Sequence, residues 1–183
     1  FVEAVFYDGA SLYNRGKKKE AAAKYSVVVA EHPNHALAAD ATFALGVAQA
    51  EQNQHAEAVK TYNDFLAKFP DHKLAAEVTM WLGESQFALK QYTEAIKSFS
   101  TAADAAGFAL ADHATLRKAD AQTALKQYAE AAATYASVPA KFPQSQYAET
   151  CELEAGKKYY LAGDYAKALT SLNKVIAAAG KSA

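Results

Sequence analysis

One cysteine and four prolines occur in 183 residues, and the charges almost cancel, at a formal net of -1. Each shortage excludes something. Cys151 has no second cysteine to pair with, so packing and not an intrachain disulfide must hold the fold. A near-zero net charge with no basic stripe gives no pull toward nucleic acid or anionic lipid. No stretch approaches the ~20 apolar residues of a membrane span. The chain has no glycine-rich phosphate loop and no H-E-x-x-H pair. His32 and His35 are three apart but straddle Pro33, and a metal site needs three or four convergent ligands. Asp104 and Asp112 sit in no recognisable cleft that would shift their titration. The expectation is therefore no enzyme, no metal and no cofactor, with Cys151 buried and inert. The lone charge block, Lys17-Lys18-Lys19, reads as a solvated turn.

What the chain does contain is a period. Gly83 is followed by a small residue at +12, Ala95, and an aromatic at +16, Phe99. Gly46, Ala58 and Tyr62 repeat those offsets, as do Gly9, Ala21 and Tyr25. Ala119, Ala131 and Tyr135 form a further copy, and Gly156, Ala168 and Leu172 close the series with leucine for the aromatic. The key positions 9, 46, 83, 119 and 156 are separated by 37, 37, 36 and 37 residues. A fixed period of this size marks a repeat array. Abundant alanine and sparse proline make each unit a pair of helices, A and B, joined by a tight turn.

The physical reading is that the small residues of A and B lie where the two helices cross closest. A larger side chain there would hold the backbones apart, at about 1–3 kcal/mol. The aromatic, one turn after the alanine, shares its face and fills the space toward the next pair. A single pair cannot bury its apolar stripe, so neighbours must stack.

This pattern resembles the tetratricopeptide repeat, whose signature includes Leu-Gly, later aromatics, Ala and Pro. Leu45-Gly46 and Leu82-Gly83 keep the Leu-Gly pair, and Tyr92, Tyr128 and Tyr165 take the aromatic at the turn into helix B. Pro33, Pro70 and Pro143 each lie 24 residues after the key position. The departures are Ala119 for glycine, Gly107 and Gly180 for proline, and repeats longer than the usual ~34 residues. The resemblance implies an all-α fold: a right-handed superhelix, or solenoid, of five helix-turn-helix repeats and ten helices. The repeats fall at about 2–33, 35–70, 72–107, 108–143 and 145–180, in one domain over 1–183. The linkers, Leu66-Ala67-Lys68-Phe69-Pro70-Asp71-His72 above all, are similar to those of bacterial cell-envelope members. Those include the outer-membrane assembly lipoprotein and the Tol–Pal coordinator, which points to periplasm or envelope. With no cap before Phe1 and no polar capping helix at the other end, the chain reads as a segment of a longer protein.

The expected A helices cover Val2–Asn14, 35–52, 72–89, 110–125 and 146–161. The expected B helices cover Lys18–Glu31, His55–Lys68, 92–105, 128–138 and 165–179. Asn34, Asp71 and Asp164 are read as N-caps. Gly16 and the Gly163-Asp164 pair mark turns, Gly107 ends the third B helix, and Pro139 bars further helix. His35 and His72 recur at one linker position, which suggests a structural role.

In the family, helix A lines a concave face at −3, +1 and +4 from the key glycine. Carried over, the lining is Phe6, Ala10 and Tyr13; Phe43, Val47 and Ala50; Met80, Glu84 and Phe87; Leu116, Asp120 and Thr123; Leu153, Lys157 and Tyr160. That surface is unusually apolar and aromatic for one facing water, as binding surfaces are. Tight curvature burying the same side chains is the competing reading. The cationic clamp with which some members grip a C-terminal carboxylate is missing from the first three repeats, and Glu84 and Asp120 stand here instead. The expected ligand is thus a partner protein or peptide, apolar and carrying a basic residue, bound as an extended segment or a helix. The second expectation is a spacer that self-associates through its ends, where Leu169, Leu172, Val175 and Ile176 would be partly exposed.

Overall fold

The computed structural model describes residues 1–179, and the expected end of the fifth repeat at Gly180 lies outside them. Among the described residues there are ten α-helices and no strand. They are α1 (Val2–Asn14), α2 (Lys18–Glu31), α3 (Ala38–Ala50), α4 (His55–Lys68), α5 (Ala75–Ala88), α6 (Tyr92–Ala103), α7 (Ala111–Ala124), α8 (Tyr128–Lys141), α9 (Ala148–Leu161) and α10 (Tyr165–Ala179). The chain forms two compact units, Phe1–Gln91 and a second that begins at Tyr92. Within each unit every helix packs against its neighbour in sequence.

All five A-to-B turns are built alike. The residue seven after each key position has positive φ: Gly16, Asn53, Lys90, Lys126 and Gly163, at 76°, 61°, 61°, 60° and 81°. In the first turn, Lys17 N–H donates to Leu12 O and Gly16 N–H to Tyr13 O, both at 2.9 Å. The same two bonds recur in the other four. This is the Schellman arrangement, which satisfies carbonyls that a helix end leaves orphaned. Two of the five positions carry glycine, which the sequence made visible. At Asn53, Lys90 and Lys126 the same geometry is imposed on residues with a Cβ. Asp164 caps α10 as expected, accepting from Lys167 N–H at 3.1 Å.

The B-to-A linkers explain the long period. Each holds two consecutive turns: His35 N–H to His32 O at 3.0 Å, then Ala38 N–H to His35 O at 2.8 Å. The pairs Phe69–His72 and His72–Ala75, Ala105–Phe108 and Phe108–Ala111, and Phe142–Ser145 and Ser145–Ala148 repeat the pattern. A double turn adds about three residues to a unit that is ordinarily ~34 long. It also delays the A helices, so α3, α5 and α9 begin at Ala38, Ala75 and Ala148, later than the sequence suggests. Asn34 and Asp71 consequently do not cap them. Leu37 and Leu74 occupy the cap positions, without a side-chain cap bond. The recurring histidines serve the turn instead. His35 Nδ1 accepts from Leu37 N–H at 3.2 Å, and His72 Nδ1 from Leu74 N–H at 3.3 Å. Ser145 Oγ does the same for Tyr147 N–H at 3.1 Å.

Two further expectations are corrected. Pro139 lies inside α8, which runs on to Lys141. Its missing N–H removes one helical bond, but Val138 is wholly buried and accepts from Phe142 N–H at 2.8 Å, which holds the last turn. Gly107 has φ 72° but sits in the linker, since α6 already ends at Ala103.

The core draws on both helices of each pair, A-helix residues such as Ala48, Val78, Ala114 and Ala155 being wholly buried beside a B-helix stripe. Ala21, Ala58, Ala95 and Ala131 are wholly buried, as are Val28, Phe65, Ala102 and Val138 seven residues later in the same register. Gly9, Gly46 and Gly156 make room chiefly for the large side chain at +16 of their own pair. A Cβ on Gly9 would come within 2.9 Å of Tyr25 Cε1, and one on Gly156 within 2.8 Å of Leu172 Cδ2. One on Gly46 would overlap the Tyr62 ring. The same large side chain also reaches the following A helix. Tyr25 clusters with Leu45, Tyr62 with Val78 and Leu82, and Tyr135 with Cys151 and Ala155.

Candidate docking groove

In the second unit, α7, α8 and α9 border a solvent-open cavity of about 300 Å³. One wall is Leu116, Asp120 and Thr123 of α7, the expected −3, +1 and +4 positions. The facing wall is Thr150, Glu154 and Lys158 of α9, and Tyr135 of α8 completes the lining. The α9 wall therefore uses −6, −2 and +2, a face four-residue spacing also defines, and not Leu153, Lys157 and Tyr160.

Both carboxylates are held. Asp120 accepts from Arg117 Nη1 at 2.7 Å and from the Tyr135 hydroxyl through a very short bond. Burial and then the hydrogen bond to Asp120 push the Tyr135 hydroxyl well above its ordinary range. Glu154 accepts from Lys157 at 2.7 Å and Lys158 at 3.1 Å. Burial alone would raise its carboxyl, but the two lysines outweigh it and hold Glu154 below the usual carboxylate range. Arg117 lies 5.8 Å over the Phe99 ring. Thr123 donates its hydroxyl to Ala119 O at 2.9 Å.

In the first unit the lining positions are more tightly packed. Phe6 sits 5.7 Å from Tyr25 and, with Tyr13, joins the cluster of Ala21, Tyr25 and Leu45. Burial, followed by a hydrogen bond to Glu51, raises the Tyr13 hydroxyl to about 12. Glu51 is in turn paired with Lys18 at 2.8 Å. Burial opposes its ionisation, yet Lys18 and Tyr13 keep it below the ordinary carboxylate value. Phe43 packs against the cluster containing Tyr62 and Phe65. Val47, Glu84 and Phe87 are half-buried, and Met80 is buried. In the second unit Leu116 and Asp120 border the cavity, while Tyr160 is 63 % exposed with its ring 5.4 Å from Tyr165.

The sequence reading passed over the −2 position. It carries Tyr7 and Trp81, both exposed, and Glu154 of the cavity. The signal was available, since a groove between adjacent A helices needs a second wall, and residues at −6, −2 and +2 share one face.

Among the described residues no other chemistry converges. Among the described residues no group of three or more His, Cys, Asp or Glu side chains is placed to hold a metal ion. Cys151 is fully buried, and burial together with the charges of Asp120, Asp112 and Glu154 pushes its thiol up to about 12. His113 stacks on Tyr147 at 5.2 Å. None of the described helices is long and apolar enough to cross a membrane.

No curated protein sequence matches the chain. Solved structures do. A MamA protein superposes with a TM-score of 0.80 at 16 % identity, over 96 % of this chain and 90 % of that one. The MamA RS-1 double mutant gives 0.78 at 16 % identity, over 96 % and 92 %. A putative kinesin light chain of Podospora anserina with nearly identical TPR-like repeats gives 0.74 at 18 % identity, over 99 % and 96 %. At such identities the likeness speaks for the all-α repeat fold alone. The tetratricopeptide repeat model matches residues 9–73, 69–109 and 82–146, more than half of the sequence. With Gly9, Gly46 and Gly156 packed on their +16 partners and five turns built alike, the chain belongs to the tetratricopeptide repeat family.

Proposed function

We propose that the chain is a protein-interaction scaffold that docks a partner protein or peptide on its A helices: α1, α3 and α5 in the first unit, α7 and α9 in the second. The observation that carries this is the cavity between α7, α8 and α9, bordered by three of the expected lining positions. The partner segment is apolar with a basic residue, laid against half-buried aromatics in an extended or helical form. The setting we propose is the cell envelope, supported by the Phe-Pro linkers alone.

Site-specific photocrosslinking tests the docking face. A benzophenone amino acid is placed at Val47 or Tyr160 on A helices, and at Asp64 or Thr101 on exposed B-helix positions. A partner captured from the A helices only is the expected result. Equal capture from both sets, or capture from the B helices alone, overturns the reading.

One observation favours a second reading, a spacer that self-associates. Leu169 and Ile176 on α10 are 61 % and 68 % exposed, with Leu172 and Val175 half-buried beside them. Leu45 of α3 packs with Tyr25, Val78 and Leu82 of α5 with Tyr62, and Cys151 and Ala155 of α9 with Tyr135, so the −5 and −1 positions cover the preceding B helix. In α1 those positions are Ala4 and Asp8, both exposed. A carboxylate at its centre makes α1 of a second copy a poor cover for α10. Sedimentation at ~100 µM discriminates: a monomer removes the spacer reading.

A further inference from the structure

We propose that the uncovered side of α10 is a second docking surface, and that it takes one amphipathic helix of a partner protein. That helix carries small or apolar residues four apart, with no carboxylate among them. The surface lies on a B helix and does not depend on the A-helix docking reading.

The same positions elsewhere in the chain show what this face does. In α2 the residues at +13 and +20 are Ala22 and Val29, and both pack against the cluster that holds Leu45 of α3. In α4 they are Val59 and Leu66, packed against the cluster that holds Val78 and Leu82 of α5. The +16 and +19 residues lie between them and are buried in α2, α4, α6 and α8, the +19 residue wholly so. The A helix that follows a B helix therefore completes this face.

α10 presents the same face with its apolar side chains in the open. Leu169 at +13 and Ile176 at +20 are 61 % and 68 % exposed, and Leu172 and Val175 are half-buried. α9 packs on the other side, where Ala168 and Ser171 are buried. Tyr165, Leu169, Leu172 and Ile176 recur at i, i+4, i+7 and i+11, the spacing of one helical stripe. No charge falls on that stripe. The two lysines of α10 are held by carboxylates off it, Lys167 by Asp164 at 2.8 Å and Lys174 by Glu152 of α9 at 3.1 Å.

The contacts made by α2, α4 and α8 specify what fits. Leu45, the Val78 and Leu82 pair, and the Cys151 and Ala155 pair are all uncharged. Side chains of this kind let two helix axes approach to the ~8–10 Å of close packing. α1 of a second copy would set Asp8 against the stripe and desolvate a carboxylate. An extended segment alternates its side chains at a period of two and does not follow a stripe with helical spacing.

The probe is residues 73–89 of this chain, which include α5, made as a capped peptide. Met80→Lys in the peptide, joined to Glu84 by a lactam, keeps it helical on the side away from Val78 and Leu82. It is titrated into the ¹⁵N-labelled full chain, with amide resonances followed. Amides of Leu169, Val175 and Ile176 should shift, with a Kd below ~1 mM. The Leu82→Asp peptide should bind at least ~10-fold more weakly. So should the chain carrying Leu169→Asp, an exposed position where the fold is retained. No shift in α10 up to ~1 mM peptide, or equal binding of the Leu82→Asp peptide, overturns the proposal. If the same amides move with chain concentration alone and sedimentation shows a dimer, a second copy is the occupant and the partner helix falls.

Discussion

The same backbone conformation meets different side chains at the five turn residues, and the difference is measurable. Gly16 and Gly163 adopt positive φ without penalty, whereas Lys90 and Lys126 adopt it against the roughly 1–2 kcal/mol that an L-residue pays there. Lys90→Gly and Lys126→Gly should each stabilise the protein by about 0.5–1 kcal/mol, read as a higher urea midpoint. Asn53→Gly should change less, since Asn tolerates this region. The key glycine behaves oppositely. Gly46→Ala drives a methyl into the Tyr62 ring, which is fully buried and has nowhere to retreat. The expected loss is about 1–3 kcal/mol in chemical denaturation. Ala119 shows that a methyl can be housed here, but beside a ring whose hydroxyl is anchored on Asp120. The Tyr62 hydroxyl is buried without a hydrogen-bond partner among the protein groups.

For the elements, legibility followed periodicity. α1, α2 and α4 have the bounds the sequence suggests, because an apolar stripe runs between two strong turn signals. The A-helix starts at Ala38, Ala75 and Ala148 were not legible: Asn34 and Asp71 look like caps, and the recurrence of His35 and His72 marks a structural position without revealing the double turn it closes. That turn predicts its own substitutions. His72→Ser should keep the bond to Leu74 N–H, as Ser145 does for Tyr147, and leave stability near the starting value. His72→Ala should lose about 1 kcal/mol on the same denaturation curve. The site was legible on one wall only. The family register gave Leu116, Asp120 and Thr123, whereas Tyr135, Glu154 and Lys158 become lining residues only when α8 and α9 pack beside α7.

At the scale of the whole molecule, stability should fall at both ends of the pH range. Tyr13 titrates near 12 when folded against 10.0 for the free side chain. A raised folded value means its contribution is complete below about 10 and is lost as pH climbs through about 12. Glu51 and Glu154 are lowered from 4.5, so theirs is present above that value and disappears as pH falls through their depressed folded values. Thermal melts across pH should show a plateau between the limbs. Tyr13→Phe should flatten the alkaline side and Glu51→Gln the acid side. The lone thiol carries a further consequence. Cys151 is sealed beneath α8 and α9 and reluctant to ionise, so an aromatic disulfide reagent can reach it only after its surroundings come apart. Its labelling rate is then a stopwatch for the second unit alone, because the first has no cysteine to report. With one side of α10 uncovered, that clock should start at a lower urea concentration than the helical signal of residues 1–91 begins to fade.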